Sequence, residues 1–223
     1  MNEILFFLHI ILVMGFGFCA LKMGKSTLTA WIALQAVLAN LFVIKQICLF
    51  GFHVTCSDVF AIGSMLGLNL LREYFGQEAT KKALWICLFA MTFFAAMGQI
   101  HLHYLPSPSD TAHPAFTTIL SASPRLLLAS LGVFMIAQQI DVRLFGLIKE
   151  KFKFFSLGIR SAFSVTVSQF LDTFLFSIFG LWGIVAHLSD VILISFLIKL
   201  LVIGLMSPLL HFSKRFMSWE ARR

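Results

Sequence analysis

One segment of this sequence, near residue 165, places hydroxyl, amide and carboxyl groups at helical spacing within an otherwise apolar stretch. Ser161, Ser164, Ser168 and Asp172 follow one another at intervals of three, four and four residues, so they share one face of a helix. Gln169 lies three residues before Asp172 and joins that face. Such groups can bind a polar small molecule, or they can join neighbouring helices through small side chains and hydrogen bonds. Both roles stay open for the serines.

Of these polar residues, Asp172 is the one that close packing between helices explains least well. It lies roughly 18 Å along the helix from Arg160 at 1.5 Å per residue, which is past the midplane of a bilayer core about 30 Å thick. An ionisable group in hydrocarbon needs a partner or a water-filled cavity. We therefore predict that the stripe faces the interior of a helix bundle. We also predict that Lys199, halfway along the last apolar segment, neutralises Asp172, with a purely structural ion pair as the alternative.

Further polar side chains lie near the ends of other apolar segments. Asn40 and Lys45 fall in the outer half of the second segment, where Lys45 either snorkels to the interface or contributes to binding. The remaining ones lie at the opposite membrane face: Asn69, Arg72, Glu73, Gln138, Gln139, Asp141, Arg143 and Arg160. The charged members of this set are predicted either to form a vestibule gated by compensating ion pairs or to anchor the helix ends.

Composition places the chain in a membrane. Of its 223 residues, 59% are apolar and only 12% are charged, whereas soluble domains are about 25% charged. The mean hydropathy of +0.93 excludes a disordered chain as well. A membrane-spanning helix needs about 20 residues, so this length leaves no room for a separate soluble domain. We expect residues 1–223 to form a single integral membrane domain.

Seven apolar stretches predict an all-α, polytopic membrane helix bundle with about seven transmembrane helices. The predicted spans are residues 4–21, 27–50, 57–71, 82–99, 125–148, 157–182 and 188–210. Connections rich in Lys and Arg alternate with connections that contain neither, namely residues 51–56, 100–124 and 183–187. Because basic loops stay in the cytoplasm, we predict an external N-terminus and a cytoplasmic C-terminus. The same rule explains the net charge of +7 without a nucleic-acid partner.

Catalytic motifs are absent from the sequence. It contains no GxxxxGK[ST] phosphate loop, no HExxH and no GxSxG. His101, His103 and His113 lie in a proline-rich loop that we expect to be solvated and without regular helix, and their spacing is a weak match to a metal site. We therefore expect no enzymatic activity, no metal and no cofactor.

Four motifs, taken in order, carry a family resemblance. The first runs ANLFVIK from Ala39 to Lys45, and the second runs NLLREYFG from Asn69 to Gly76. The third runs QIDVRLF from Gln139, and the last begins at Arg160 and ends with SQFLDT. This set resembles the queuosine precursor transporter family, which imports 7-deazaguanine bases across the bacterial inner membrane. One departure is Asn69, where the family usually has an acid, whose role Glu73 could take over.

The resemblance implies a six-helix core, similar to the substrate-binding components of energy-coupling-factor importers, plus an N-terminal helix. It also implies uptake of 7-cyano-7-deazaguanine, 7-aminomethyl-7-deazaguanine or queuine for tRNA modification. Asp172 would accept the N–H and NH₂ groups of the base, and neutral contacts would come from Gln169, Gln139, Ser164 and Ser168. Asn40 or Lys45 would donate to the ring carbonyl. We expect a solitary carrier or a homo-oligomer, with a membrane-embedded component that needs an energising partner as the alternative.

Overall fold

Helices form almost all of the described chain. A computed structural model describes residues 1–43, 45–55, 57–121, 124–182 and 188–216. Its helices are α1 (Asn2–Met23), α2 (Lys25–Phe42), α3 (Asp58–Leu102), α4 (His113–Leu120), α5 (Pro124–Lys151), α6 (Leu157–Phe176) and α7 (Leu188–Leu209). A π-helical turn, Ser177–Leu181, extends α6, and a 3-10 helix, Leu210–Phe216, extends α7. The predicted all-α polytopic bundle is confirmed.

Five segments are long and apolar enough to cross a membrane. They are Asn2–Met23, Asp58–Leu102, Leu128–Lys151, Leu157–Gly180 and Ile192–Ser213. Their outward faces carry large exposed apolar side chains, among them Phe7, Ile11, Phe89, Phe93, Phe163 and Phe170. The bundle thus has apolar side chains on its outer surface and polar side chains inside. A bilayer stabilises this arrangement, and water does not. The bundle therefore has the surface of a membrane protein.

The predicted second span is too long at its C-terminal end. Helix α2 stops at Phe42, and a two-stranded antiparallel hairpin follows, with β1 at Gln46–Leu49 and β2 at Phe52–Thr55. Phe50 and Gly51 connect the strands with φ angles of 51° and 86°. Two successive residues with positive φ form a hairpin turn and cannot continue a right-handed helix. This hairpin contacts the start of α1, where the Asn2 side chain donates to the Cys48 carbonyl at 2.8 Å.

The predicted third and fourth spans belong to one long bent helix. Gly76 lies within α3 with φ 85° and ψ 179°, and it divides the helix into residues 58–75 and 77–102. Only glycine adopts this conformation readily. The Thr80 hydroxyl donates to the Gly76 carbonyl at 2.9 Å, which closes the first turn after the bend. The prediction of a loop over residues 72–81 was therefore wrong, because a sharp bend reverses the chain with almost no loss of helix.

The proline-rich connection also differs from expectation. Helix α4 begins at His113, with Pro114 in its first turn, where the missing N–H has no intrahelical partner anyway. Residues 103–112 before it are exposed, as predicted for a solvated loop. Residues 183–187 and 217–223, on which the predicted charge alternation partly rests, lie outside the described residues.

The first half of α3 is the centre of the bundle. Every residue from Ile62 to Leu71 is buried, and this segment packs against α2, α5, α6 and α7. Gly67 permits the close approach of α2, because a Cβ there would lie 2.7 Å from the Ile32 side chain and 2.8 Å from Trp31. The bundle has two ends. The hairpin end holds the β-hairpin and α4, and the basic end holds Gly76 and the α5–α6 connection.

Candidate functional site

The polar stripe of α6 faces the interior of the bundle. Helix α6 begins after Ser156, whose hydroxyl accepts a hydrogen bond from the Ile159 amide at 3.4 Å. From there its buried polar residues follow one face: Arg160, Ser161, Ser164, Ser168, Gln169 and Thr173. The prediction that this face points inward is confirmed. Along its length the stripe meets three groups of side chains from α3, α5 and α7.

A fully buried carboxyl group lies at the middle of the stripe. Asp141 of α5 has no solvent exposure, and its Oδ1 lies 3.5 Å from the Ser168 hydroxyl, which itself donates to the Ser164 carbonyl at 2.6 Å. Asn69 of α3 and Ser164 also face this carboxyl group. The Asn69 amide donates to the Ser164 hydroxyl at 3.4 Å, which links α3 to α6. Asp141 is thus held by neutral donors from two other helices.

Two buried glutamines flank Asp141. Gln138 donates to the Ser64 hydroxyl of α3 at 3.1 Å. Gln169 donates to the Met65 sulfur of α3 at 3.0 Å, a weak acceptor. With these side chains the central cluster is complete, and it consists of Asn69, Gln138, Asp141, Ser164, Ser168 and Gln169. Each member is 0–1% exposed.

Several oxygens of the central cluster have no hydrogen-bond partner among the described residues. Four buried oxygens accept no well-formed hydrogen bond from the described part of the chain: Asn69 Oδ1, Gln138 Oε1, Asp141 Oδ2 and Gln169 Oε1. Buried polar atoms in native proteins almost always have a partner, and leaving one without a partner costs about 1–3 kcal/mol. A group of acceptors on three facing helices therefore favours a ligand that donates several hydrogen bonds.

A second group of charged residues lies one helical turn nearer the hairpin end. Lys199 of α7 contacts Asp172 Oδ2 at 2.7 Å and donates to the Thr173 hydroxyl at 3.0 Å. The predicted pairing of Lys199 with Asp172 is confirmed. Asp58, buried in the first turn of α3, interacts electrostatically with both charges. The Asp172 side chain keeps 24% of its surface exposed, so it remains accessible beside the ion pair.

Sequence reasoning missed Asp58. It follows Ser57 directly before an apolar run, which is the usual position of an interfacial helix cap. The Ser57 side chain makes no capping hydrogen bond, and Asp58 is buried and interacts electrostatically with Lys199. No signal in the sequence distinguishes this arrangement from an ordinary cap.

The basic end contains a third charged group. Glu73 pairs with Arg160 at 3.0 Å and with Lys149 at 2.9 Å. The Arg160 guanidinium also lies 5.7 Å from the centre of the Phe145 ring. Of the predicted vestibule, Glu73 and Arg160 meet as expected. Asp141 does not join them, since it belongs to the central cluster.

Gln139, Arg72 and Arg143 lie outside the stripe. They line a cleft of about 560 Å³ between α3 and α5. Neighbouring helical residues point about 100° apart and residues two apart about 200° apart, so Gln139 and Arg143 turn away from the buried Gln138 and Asp141. The structure therefore does not bring Gln139 to Gln169. Arg72 lies across Gly146 of α5, where any Cβ would overlap its guanidinium.

Asn40 and Lys45 lie near the hairpin end. The Ser130 hydroxyl of α5 donates to Asn40 Oδ1 at 2.5 Å, and the Asn40 amide donates to the Ala36 carbonyl at 3.0 Å. Lys45 is exposed and follows the end of α2. The sequence predicts it within the second membrane-spanning helix, and it lies outside that helix. Neither residue contacts the central cluster through a hydrogen bond in the described chain. Among the described residues, no group of three or more His, Cys, Asp or Glu side chains could hold a metal ion.

Comparison with known proteins places this architecture in a family. Residues 55–212 match the family described as "Putative vitamin uptake transporter". A relative from Bacillus subtilis (strain 168), described as "Probable queuosine precursor transporter", is 33% identical over 180 residues, which cover 79% of this chain and 76% of the relative. No solved structure matches the chain significantly, so the likeness to energy-coupling-factor components stays a prediction.

The matched region contains all three polar groups along α6. Of the described elements, α1, α2 and β1 lie before it, and β2 and the final 3-10 helix extend beyond its ends. The family consists of transporters and not of enzymes, and the apolar helices make the chain a multi-pass membrane protein. The chain therefore belongs to the vitamin uptake transporter family, and the resemblance to queuosine precursor transporters seen in its motifs is confirmed.

Proposed function

We propose that this protein carries 7-deazaguanine precursors of queuosine across the bacterial cytoplasmic membrane, with its basic end in the cytoplasm. The family and the name of the Bacillus subtilis relative support a cargo of this class. The basic connections at one end support the orientation, since Lys22, Lys25, Lys81, Lys82, Lys149 and Lys151 all lie there.

The observation that carries the proposal is the group of buried oxygens in the central cluster that have no partner in the described chain. A guanine-type base offers an N–H and an NH₂ group side by side on one edge. A carboxylate can accept both at once in charge-assisted hydrogen bonds, which are about twice as strong as neutral ones. Asp141, which lies beside the Ser168 hydroxyl and the unpartnered oxygens of Gln138 and Gln169, offers such a surface.

Asp172 has a different place in this proposal. Its contact with Lys199 occupies one oxygen, and its partial exposure keeps the other side of the carboxyl group accessible. Four residues of α6 separate it from Ser168, which is about 6 Å along the helix. The base would therefore meet Asp172 first when it arrives from the hairpin end, with Asn40 or Lys45 as donors to its carbonyl. It would then pass to Asp141.

The route continues along α6 to the basic end. From the Asp172–Lys199 pair through the central cluster to the Glu73–Arg160 pair, the polar stripe extends over about 18 Å. In this proposal the two ion pairs border the binding cluster, and each has to open for the base to pass. Trapping of the base by incorporation into tRNA would draw transport inward without an ATPase of the protein's own. An energising partner would be needed only if the purified protein failed to transport.

Ligand-dependent thermal stabilisation of the purified protein tests the proposal. A ligand that binds only the folded state stabilises it, by about 2.7 kcal/mol at one hundred times Kd. We expect stabilisation by the three deazaguanines and little by 7-deazahypoxanthine, which lacks the 2-amino donor. Asp141→Asn should weaken binding about 10–100-fold, because a hydrogen bond to a charged group contributes ~1.5–3 kcal/mol.

The matched control is Glu78→Gln, which removes an exposed carboxylate whose one ion-pair partner among the described residues is Lys81, at 3.0 Å. It should bind like the wild type. Equal stabilisation by deazaguanine and deazahypoxanthine would overturn the proposed recognition of the donor edge. Unchanged binding in Asp141→Asn together with loss of binding in Asp172→Asn would move the recognition to Asp172.

A further inference from the structure

A cleft separate from the α6 stripe lies on the outer surface of the bundle at its basic end. It runs between the second half of α3 and the second half of α5, with a volume of about 560 Å³. Its lining combines charged and apolar side chains. Arg72, Lys81 and one opposing acid, Glu150, lie nearest the basic end, and Arg143 lies about two turns of α5 further in. Leu84, Trp85 and Met135 continue the cleft towards the membrane interior.

The charges in the cleft are not balanced within the chain. Arg72 and Arg143 form no ion pair with any described residue, and Lys81 pairs only with the exposed Glu78. With three cations and Glu150 as the only acid in its lining, the cleft has an excess of positive charge. The bend at Gly76 produces this cluster, because it brings Arg72 before the bend and Lys81 after it to the same end of the bundle.

The apolar part of the cleft is open to the surroundings of the bundle. Trp85 is 65% exposed and Leu147 is 52% exposed, and Leu84, Met135 and Val142 complete the lining. These residues belong to membrane-crossing segments, where the surrounding medium is lipid. Tryptophan with an apolar ring and a polar N–H is typical of the membrane interface.

We propose that this cleft binds one anionic phospholipid. Its phosphate would contact the guanidinium groups of Arg72 and Arg143 and the Lys81 ammonium, and an acyl chain would lie along Leu84, Trp85 and Met135. Basic pockets between helices on the cytoplasmic side are suited to anionic head groups, and guanidinium groups bind phosphate in a bidentate manner. The proposal does not depend on which molecule the transporter carries.

Native mass spectrometry of the purified protein with added phosphatidylglycerol or phosphatidylcholine tests this site. We expect the wild type to retain phosphatidylglycerol selectively, and the double variant Arg72→Gln/Arg143→Gln to lose about thirtyfold in that selectivity, since each cation near the surface contributes roughly 1 kcal/mol. The control Lys22→Gln/Lys25→Gln removes the same charge at the same membrane face, outside the cleft, and should keep it. Equal loss in both double variants would overturn the proposal.

Fluorescence supplies a measurement that does not need the arginine variants to fold. In nanodiscs, brominated phosphatidylglycerol should quench tryptophan emission more than brominated phosphatidylcholine at the same mole fraction, and Trp85→Phe should abolish the difference. Competition by soluble glycerol phosphate as effective as that by the lipid would assign the site to a free phosphate and contradict the proposal. So would quenching that is independent of head group, which is also the result expected if a protein partner covers the cleft.

Discussion

At the scale of single residues, the three polar groups along α6 are balanced in different ways. At the basic end Glu73 has two cationic partners, and near the hairpin end Lys199 has two acidic neighbours. Between them, Asp141 is held only by neutral groups. Charges that compensate each other suit ion pairs that open and close, whereas a carboxyl group held by neutral donors keeps its capacity to bind a ligand.

Substitution of Lys199 tests the balance near the hairpin end. Lys199→Gln leaves Asp58 and Asp172 without their buried cation, and breaking a buried pair in this way costs about 3–5 kcal/mol. We expect a large fall in the thermal unfolding temperature of the purified protein. Adding Asp172→Asn should recover part of it, because one uncompensated charge is removed.

The control for this comparison is Lys81→Gln, which breaks the exposed pair with Glu78. Exposed pairs contribute about 0–1 kcal/mol, so this variant should unfold close to the wild type. A double variant no more stable than Lys199→Gln alone would show that the contact with Asp172 does not govern stability here.

The site residues could be predicted only where polar side chains repeat at helical spacing in the sequence. The α6 stripe is visible because serines and Asp172 repeat every three or four residues against an apolar background. The sequence does not show which of the adjacent Gln138 and Gln139 faces the bundle interior, because the two residues are equally polar. Tertiary packing alone decides that Gln138 is buried and Gln139 is exposed.

At the scale of elements, the bend in α3 organises the protein. Its first half is the buried centre of the bundle, and its second half returns across the membrane with Thr80, Leu84, Cys87 and Met91 as its buried face. The bend also lies next to residues of both proposed sites. Glu73 pairs with Arg160 of the α6 stripe, and its neighbour Arg72 lines the outer cleft.

Gly76→Ala should destabilise the protein by about 1–3 kcal/mol, the usual cost of holding a residue with a Cβ in this backbone conformation. Nothing lies within 4 Å of a Cβ at this position, so the cost would come from the φ angle of 85° and not from a clash. Thermal unfolding in detergent measures it.

Gly132→Ala is the matched control for the bend. Gly132 lies inside α5 with nothing within 4 Å of an added Cβ, and alanine is favoured over glycine within a helix by up to about 1 kcal/mol. This variant should be neutral or slightly more stable. Equal effects of the two substitutions would contradict the importance of the bend.

Hydropathy predicted the positions of the apolar segments better than their shapes. It locates residues that avoid water, and a reversal at one glycine or a short hairpin at the surface leaves little trace in such a profile. The hairpin after α2 depends on the positive φ angles of Phe50 and Gly51. Phenylalanine rarely adopts this conformation, so an extended apolar helix was the natural expectation there.

At the scale of the whole molecule, charge placement fixes the expected orientation. With the basic connections in the cytoplasm, Lys22 should be inside and the exposed loop residue Ser109 outside. In a variant whose native cysteines are replaced, we expect a membrane-impermeant maleimide to label Ser109→Cys in intact cells and Lys22→Cys only after permeabilisation. The reverse pattern would place the hairpin end in the cytoplasm.

The same charge distribution connects the two sites proposed for this molecule. The stripe along α6 crosses the interior, and the cleft between α3 and α5 faces lipid at the basic end. A lipid bound beside Arg72 would contact the segment that also carries Glu73, one residue further along α3. Uptake in liposomes with and without phosphatidylglycerol would then show whether the lipid affects transport or only stability.

Uptake of radiolabelled deazaguanine by the purified protein in liposomes, without any other protein, is the decisive test of transport through the central cluster. We expect saturable uptake by the wild type and by Glu78→Gln. We also expect at least about tenfold less uptake by Asp141→Asn at equal protein content, because the variant loses a charge-assisted contact with the base. Undiminished uptake by Asp141→Asn would contradict transport by this route.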